Sequence, residues 1–405
     1  MDTHQISGSK SKTAARQRIL LCSLSGTMGG VELRMGLEAR LLVRAGYSAR
    51  IAINLHPELV AWAATLAREG VPVLNFDPPP FMERAWRWRH ANKLRAKYIG
   101  GRFLRQQMPD LVHVFLPWTD FGGTRLWLTH YCGLPTVISV RNAFARDFEP
   151  WSPWHARHYR EAFQVVRGVY AISSTALKEF LTVFGQFLLP ETVIEVIHNG
   201  VDTNRFRPHP QIREAARDTL GFPQEALVIG SVGRLEKQKR PWALIAVFAE
   251  LKRIFPTLSL VLVGAGPLED ELRRQASELG VAGSVVFTGF QTAVENLLPA
   301  FDLFLMLSRN EGFGTATVEA MATGVPVVGT DVPGTHDILN NGQAGVLVPL
   351  DDQPATVDAC ARLLADTALR SRFAKAARAE AIHHYDEHIW ESRILAFYNK
   401  VLNSP

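Results

Sequence analysis

The sequence is short of cysteine, of long apolar runs and of unbalanced charge, and each shortage excludes something. Cys22, Cys132 and Cys360 are the only cysteines in 405 residues, and no two stand at CxxC spacing. A disulfide framework and a thiolate zinc site are therefore excluded, and the usage fits a reducing compartment. No uninterrupted apolar run approaches the roughly 18 residues that a membrane-spanning helix needs. Residues 1–16 are rich in Ser, Lys and Gln and lack the apolar core of a secretory signal, so residues 1–17 are expected to be a disordered tail. A dinucleotide fingerprint of the GxGxxG type is missing, and so is an Asp-x-Asp pair at a strand end. Charged residues make up 20% and apolar ones 47% of the chain, a packed globular composition. A soluble cytoplasmic protein is expected. Its net charge of +5 suggests an anionic partner without naming one.

What is present is an alternation of short apolar runs with helical periodicity. At 405 residues the chain exceeds one ordinary core, so two domains are expected. Residues 18–24, 49–54 and 71–76 read as strands, with helices between them. Leu33, Leu37, Leu41 and Ala45 mark the inner face of the first helix, and Gly46 ends it. This is the βαβ pattern of a doubly wound parallel sheet. Further strands are expected at 110–116, 135–140, 169–174 and 193–197. A polar stretch to Pro223 reads as a join, and the alternation restarts at 226–232, 258–263, 285–290, 302–307, 325–329 and 345–348. The expected architecture is α/β, with two Rossmann-like parallel-sheet domains at 18–203 and 223–385, a linker at 204–222 and a C-terminal helix at 386–405 packing back towards the first domain. Ligands of such sheets bind beyond the carboxyl ends of the strands, here in the cleft between the domains.

Residues 83–105 carry Arg84, Arg87, Arg89, Lys93, Arg95, Lys97, Arg102 and Arg105 against the single acid Glu83. Trp88, Ala91, Leu94 and Tyr98 recur at helical spacing, so one face is apolar and the rest cationic. That composition suits a helix lying on an anionic membrane surface, where each basic residue contributes roughly 1 kcal/mol. The ordinary alternative is a solvated helix with its tryptophans on the core. Nucleic acid is not expected, because no second basic element supports it.

The stretch from Asp302 to Asp331 reads as a buried strand, a glycine-flanked turn, a short helix from Thr315 and another strand. Gly312 and Gly314 let backbone N–H groups approach a ligand, and the helix N-terminus favours an anion such as phosphate. Glu311 and Glu319 bracket the unit and are suited to accept hydrogen bonds from hydroxyls. By spacing alone this is equally an ordinary βα loop with a capping carboxylate.

Seven residues separate Glu311 from Glu319, and Asn310-Glu311-Gly312-Phe313-Gly314 leads into a helix ending Ala320-Met321-Ala322-Thr323-Gly324-Val325-Pro326. This resembles the E-x7-E signature of retaining glycosyltransferase family 4, of bacterial cell-surface polysaccharide and lipopolysaccharide type. Gly29-Gly30-Val31-Glu32, His198-Asn199-Gly200-Val201-Asp202 and Gly233-Arg234-Leu235 with Lys239 resemble further family segments in the same order. The resemblance implies the two-domain GT-B fold and a nucleotide-diphosphate-sugar donor on the second domain. It implies that Arg234 and Lys239 offset the diphosphate charge, that Glu311 faces the transferred sugar, and that Glu319 holds the ribose. Gly289 and Phe290 would flank the base, while Gly29, Gly30, Gly312, Phe313, Gly314 and Thr315 would complete the donor site. No metal and no other cofactor is expected. The stereochemistry implied is retaining, and no residue identifies itself as a covalent nucleophile.

One place departs from the family pattern. Many members carry a histidine after the fifth strand, where this chain reads Ser139-Val140-Arg141-Asn142. Arg141 does not deprotonate near neutral pH, so it is no base. With Asn142 it is a candidate for an anionic acceptor, and Arg87, Arg89, Lys93 and Arg95 are candidates for acceptor or membrane contact. His113 reads as a packed core histidine. The leading expectation is a cytoplasmic hexosyltransferase, peripheral on the inner face of the cytoplasmic membrane, acting on a lipid-linked or glycan acceptor. A nucleotide-sugar epimerase and a non-catalytic sugar-nucleotide-binding protein of the same fold remain open.

Overall fold

A computed structural model describes residues 16–24, 28–82, 88–116, 122–142 and 152–403. The first sheet contains β1 (Arg18–Ser23), β2 (Ser48–Ile53), β3 (Val73–Asn75), β4 (Leu111–Leu116), β5 (Thr136–Val140), β6 (Val166–Ala171) and β7 (Val193–Val196). The second contains β8 (Val228–Val232), β9 (Ser259–Val263), β10 (Val285–Phe287), β11 (Leu303–Met306), β12 (Val327–Thr330) and β13 (Val346–Val348). Every strand expected from the apolar runs is found, with boundaries moved by up to three residues. Every neighbouring pair is parallel, in the orders β3-β2-β1-β4-β5-β6-β7 and β10-β9-β8-β11-β12-β13. Helices cover both faces, which is why β4, β5 and β11 are buried at every position and largely apolar, with only His113, Thr136 and Ser139 as polar members.

The strand orders locate the cleft. Sequence order reverses between β1 and β4 in one sheet and between β8 and β11 in the other. The turns that leave β1, β5, β8 and β11 at their carboxyl ends therefore converge on the space where such sheets bind ligands. The chain crosses between the domains at two adjacent points. Val201 N–H donates to the Tyr385 carbonyl at 2.8 Å, and Glu387 N–H donates back to Val201 at 3.0 Å.

Beyond that crossing, the helix Glu387–Asn403 lies against the first domain, where Ile394, Phe397 and Tyr398 are fully buried. Tyr398 and Tyr170 each donate a hydroxyl to the Glu38 carboxylate at 2.8 Å, and His113 Nδ1 lies 3.1 Å from it. Burial alone would raise the Glu38 carboxyl, but His113 and the hydrogen bonds outweigh it and hold it below its usual value. His113 is thus a core residue that ties the C-terminal helix to the sheet.

The polar join expected at 204–222 contains the helix Pro210–Leu220, capped by the His209 ring. Its arginines point inward. Arg213 and Arg217 each reach Asp302 at 2.7 Å, and buried Arg217 also donates to the carbonyls of Ala300, Pro223 and Ala226. Two further helices, Gly123–Tyr131 and Pro153–Phe163, had no reading from sequence. No helix among the described residues is long and apolar enough to cross a membrane.

Candidate active site in the interdomain cleft

The second-domain wall is built from the turns after β8 and β11, which are hydrogen-bonded to each other. Arg309 N–H donates to the Gln238 carbonyl at 2.9 Å, and the Gln238 side chain donates to the Asn310 carbonyl at 2.9 Å. This pairing brings Lys239 Nζ onto Glu311 Oε1. Ser308 Oγ donates to the same oxygen at 2.9 Å, while Thr330 Oγ1 fixes the Ser308 carbonyl at 2.6 Å. Glu311 is 5% exposed, so its carboxylate is fixed in position by a cation and a hydroxyl. Arg234, on the turn that also carries Lys239, projects outward and lies 3.5 Å from Glu236. Arg234, Lys239 and Glu311, the three residues expected to be catalytic, thus stand on two joined turns.

Gly314 adopts φ +86°, a left-handed conformation natural to glycine, and caps the helix Thr315–Ala322. Phe313 turns into the core and stacks on His198, with ring centroids 5.7 Å apart. Burial, with help from Arg393 and His384, pushes the His198 pKa down to about 4. Gly312 is a place where the two domains approach closely. A Cβ there would stand 2.9 Å from Asn142 Oδ1 and 3.1 Å from Asn142 Cα. Glu319 is half-buried one turn inside the helix. Burial raises its pKa to about 7 against the opposing fields of Arg205 and Arg34. Gly289, at φ +67°, accepts from Gly264 N–H at 2.9 Å, and the neighbouring Phe290 is 74% exposed.

The first-domain wall begins at Gly29 and Gly30, which open the helix Gly30–Arg44, and continues at Arg141 and Asn142 after β5. Glu32 is buried, and its carboxylate lies 3.3 Å from where a Cβ on Gly29 would stand. Arg141 Nη2 donates to Asn199 Oδ1 at 2.7 Å.

The basic segment packs on the helices Gly123–Tyr131 and Pro153–Phe163. The helix Arg89–Gln107 leaves Trp88, Leu94 and Tyr98 exposed together with Arg95 and Arg102. Its other basic residues lie on aromatic faces of neighbouring helices: Arg89 is 4.6 Å from the Trp154 ring, Lys93 4.3 Å from Trp127 and Arg105 5.0 Å from Tyr131. Lys93 also meets His158 Nε2 at 2.7 Å. Arg87 lies outside the described residues. Sequence reading missed Ser308, Gln238 and Arg34. Ser308 stands three residues before Glu311, a spacing that serves a local side-chain contact, whereas Arg34 carried no signal at all.

Two parallel-sheet domains with their strand ends turned on one cleft, and cations at the turns of one wall, define a GT-B architecture. The family model described as "Glycosyltransferase Family 4" matches residues 28–205, and "Glycosyl transferases group 1" matches residues 212–380. D-inositol 3-phosphate glycosyltransferase of Corynebacterium urealyticum is 35% identical over 294 residues, 69% of this chain and 68% of that one. The GDP-mannose-dependent alpha-(1-6)-phosphatidylinositol monomannoside mannosyltransferase of Mycolicibacterium smegmatis is 34% identical over 233 residues, 55% of this chain and 58% of that one. The lipopolysaccharide core biosynthesis mannosyltransferase LpsB of Rhizobium meliloti is 35% identical over 185 residues, 44% of this chain and 52% of that one. The chain therefore spans between about half and two thirds of these relatives' lengths. Anabaena Alr3699/HepE in complex with UDP superposes with a TM-score of 0.77 at 22% identity, covering 95% of this chain and 100% of that one. WaaG, a glycosyltransferase involved in lipopolysaccharide biosynthesis, gives 0.70 at 18% identity, covering 94% and 99%. The chain belongs to the family 4 glycosyltransferases.

Proposed function

We propose that the protein transfers a hexose, with retention, from a nucleoside-diphosphate sugar to a lipid-linked or glycan acceptor in cell-surface polysaccharide or lipopolysaccharide biosynthesis. The observation that carries the reading is the Lys239–Glu311–Ser308 constellation held against Asn142 of the opposite domain at Gly312. The donor lies on the second domain, its diphosphate between Arg234, Lys239 and the amino end of the helix Thr315–Ala322. These cations and the helix dipole offset the charge that develops on the leaving group, the service a divalent ion gives elsewhere. Glu319 accepts from ribose hydroxyls, and Phe290 with Gly289 borders the base. The acceptor oxygen bonds to the anomeric carbon on the face that the diphosphate leaves. The bonding pair departs with the nucleoside diphosphate, and the acceptor's proton passes to the departing phosphate oxygen. Lys239 holds Glu311 beside the sugar's developing positive charge. A sugar–protein adduct trapped with a fluorinated donor would overturn this front-face route.

The relatives named for mannosyl transfer and the structures named for UDP leave two donor bases to test. A panel of UDP- and GDP-sugars, scored by thermal stabilisation and then by transfer, decides between them. If none stabilises or turns over, the reading fails. The exposed face of the helix Arg89–Gln107 is assigned to the cytoplasmic face of the membrane that holds the acceptor. Flotation with anionic liposomes tests it: a variant with Trp88, Leu94 and Tyr98 changed to Ser should stay in solution, and undiminished flotation refutes the assignment.

A further inference from the structure

Two guanidinium groups on the first-domain wall are buried with one terminal nitrogen each left without a hydrogen-bond partner among the described residues. Arg34, one turn into the helix Gly30–Arg44, is 7% exposed; Arg141, the first residue past β5, is 8% exposed. Arg34 Nη2 donates to the Gly200 carbonyl at 2.9 Å, and Arg141 Nη2 donates to Asn199 Oδ1 at 2.7 Å. The pair thus docks on two consecutive residues of one segment. In both, Nη1 is buried and makes no hydrogen bond among the described residues. Aromatic rings supply the remaining contacts, Trp390 at 4.8 Å from Arg34 and Phe115 at 5.8 Å from Arg141.

Such an arrangement is costly without an anion. Guanidinium stays protonated near neutral pH, and like charges repel strongly where water is excluded. Burial first, and then the Arg141 charge, pull the Arg34 pKa down to about 10. The acids whose fields reach Arg34 are Glu387, Glu38 and Glu319; Glu38 already holds Tyr170, Tyr398 and His113, and burial raises the Glu319 pKa to about 7. A removable partner is the simplest reason to keep two such cations. Their place in the fold suggests what it is attached to: the Arg141 backbone meets the second domain beside Glu311, its carbonyl 3.2 Å from where a Cβ on Gly312 would stand.

We propose that Arg34 and Arg141 form a buried oxyanion site on the acceptor side of the cleft, so that the acceptor is an acidic molecule presenting a phosphate or carboxylate. The inference rests on the glycosyl-transfer reading for the word acceptor, but the anion site can be tested without it. One source of the same chemistry, the donor diphosphate, is separated by the choice of probe. Full-length Arg234→Ala protein, whose donor-side cation is removed, is titrated with inorganic phosphate by calorimetry. Adding Arg141→Gln should weaken phosphate by about tenfold or more, the value of a charge-assisted hydrogen bond. In the otherwise unaltered chain, Arg141→Gln should leave UDP and GDP affinity within about twofold, and phosphate should add to the nucleotide's thermal stabilisation. Phosphate affinity indifferent to Arg141 overturns the site. Loss of nucleotide affinity in Arg141→Gln, or competition between phosphate and nucleotide, gives the arginines to the donor and overturns the acceptor assignment. Phosphate binding that depends on Arg141 in a protein that binds no nucleotide leaves the site standing and sinks glycosyl transfer instead. Should the Gln variant not fold, Arg141→Lys keeps the charge without the fork. Weakened phosphate binding there supports the site, and unchanged binding overturns it.

Discussion

The two walls of the cleft meet at Gly312 and Asn142, yet they hold their cations by opposite means. On the second-domain wall the cations have carboxylates: Lys239 has Glu311, Arg205 has Glu295 at 2.8 Å and Arg234 has Glu236 at 3.5 Å. On the first-domain wall Arg34 and Arg141 are buried against a carbonyl, an amide and aromatic rings. Arg205 and Arg234, paired near solvent, can exchange a carboxylate for a phosphate at little net cost while the largely buried Lys239–Glu311 pair stays closed, which suits a donor that arrives and leaves as a diphosphate. A buried cation with an unused donor gains most from an anion that reaches it and supplies the missing partner. The contrast teaches that one wall is set up for exchange and the other for selection.

The largest effects should come from breaking the second wall. Glu311→Ala and Arg234→Ala are each expected to lower transfer by about 10²–10³-fold, the range for a group that stabilises developing charge. The thermal midpoint of Arg234→Ala should hold, because that side chain is exposed. Unaltered turnover by both variants would remove the catalytic assignment.

Contact between the walls comes next. Gly312→Ala puts a Cβ 2.9 Å from Asn142 Oδ1 and should force the domains or the turn apart. Transfer should fall by about tenfold, with donor affinity, read by titration, falling by less. An equal loss in donor affinity would place the damage in the second domain alone.

A smaller effect concerns pH, where two groups lining the site pull in opposite directions. Glu319 has a folded pKa of about 7 against an ordinary 4.5. The native chain therefore binds that proton more tightly than the unfolded one, and its contribution is full below about 4.5. It is lost as pH rises to about 7, so Glu319→Gln should flatten the stability profile over that window. His198 has a folded pKa of about 4 against an ordinary 6.5, so its contribution is present above 6.5 and lost as pH falls towards 4. His198→Asn should flatten only this acid limb. Chemical unfolding across pH 4–8 reads both, and identical profiles for the two variants would contradict the opposed signs.

The smallest effects separate the two faces of the helix Arg89–Gln107. Replacing Arg95 and Arg102 by Gln should weaken adhesion to anionic vesicles by about 1 kcal/mol each without moving the thermal midpoint. Replacing Lys93, which lies over Trp127, should instead cost about 0.5–1 kcal/mol of stability. Both variants losing adhesion equally would mean that the helix faces the membrane in another orientation.

Much of this was legible without coordinates. The strands were readable because a parallel sheet covered on both faces demands short apolar runs, and these recur along the chain in alternation with helical segments. The turn around Glu311 was readable because glycine, carboxylate and helix start fall within a few consecutive residues. The helix Pro210–Leu220 was not readable, because Arg213 and Arg217 look solvated until Asp302 and the carbonyls of Ala300 and Pro223 surround them. The direction of each basic residue on the helix Arg89–Gln107 was hidden for a similar reason, since the aromatic partners lie on other helices.

The sequence by itself determined two parallel sheets, the turn that carries Glu311 and Glu319, and the family to which they belong. These are local properties, written in periodicity and in residues close along the chain. Tertiary structure alone decided that Lys239 is held on Glu311, that Asn142 closes on Gly312, and that Arg34 and Arg141 share consecutive acceptors with one nitrogen each left over. Arg34 and Arg141 are 107 residues apart along the chain, and although Arg141 stood out in its own segment, nothing local in either segment joins the two.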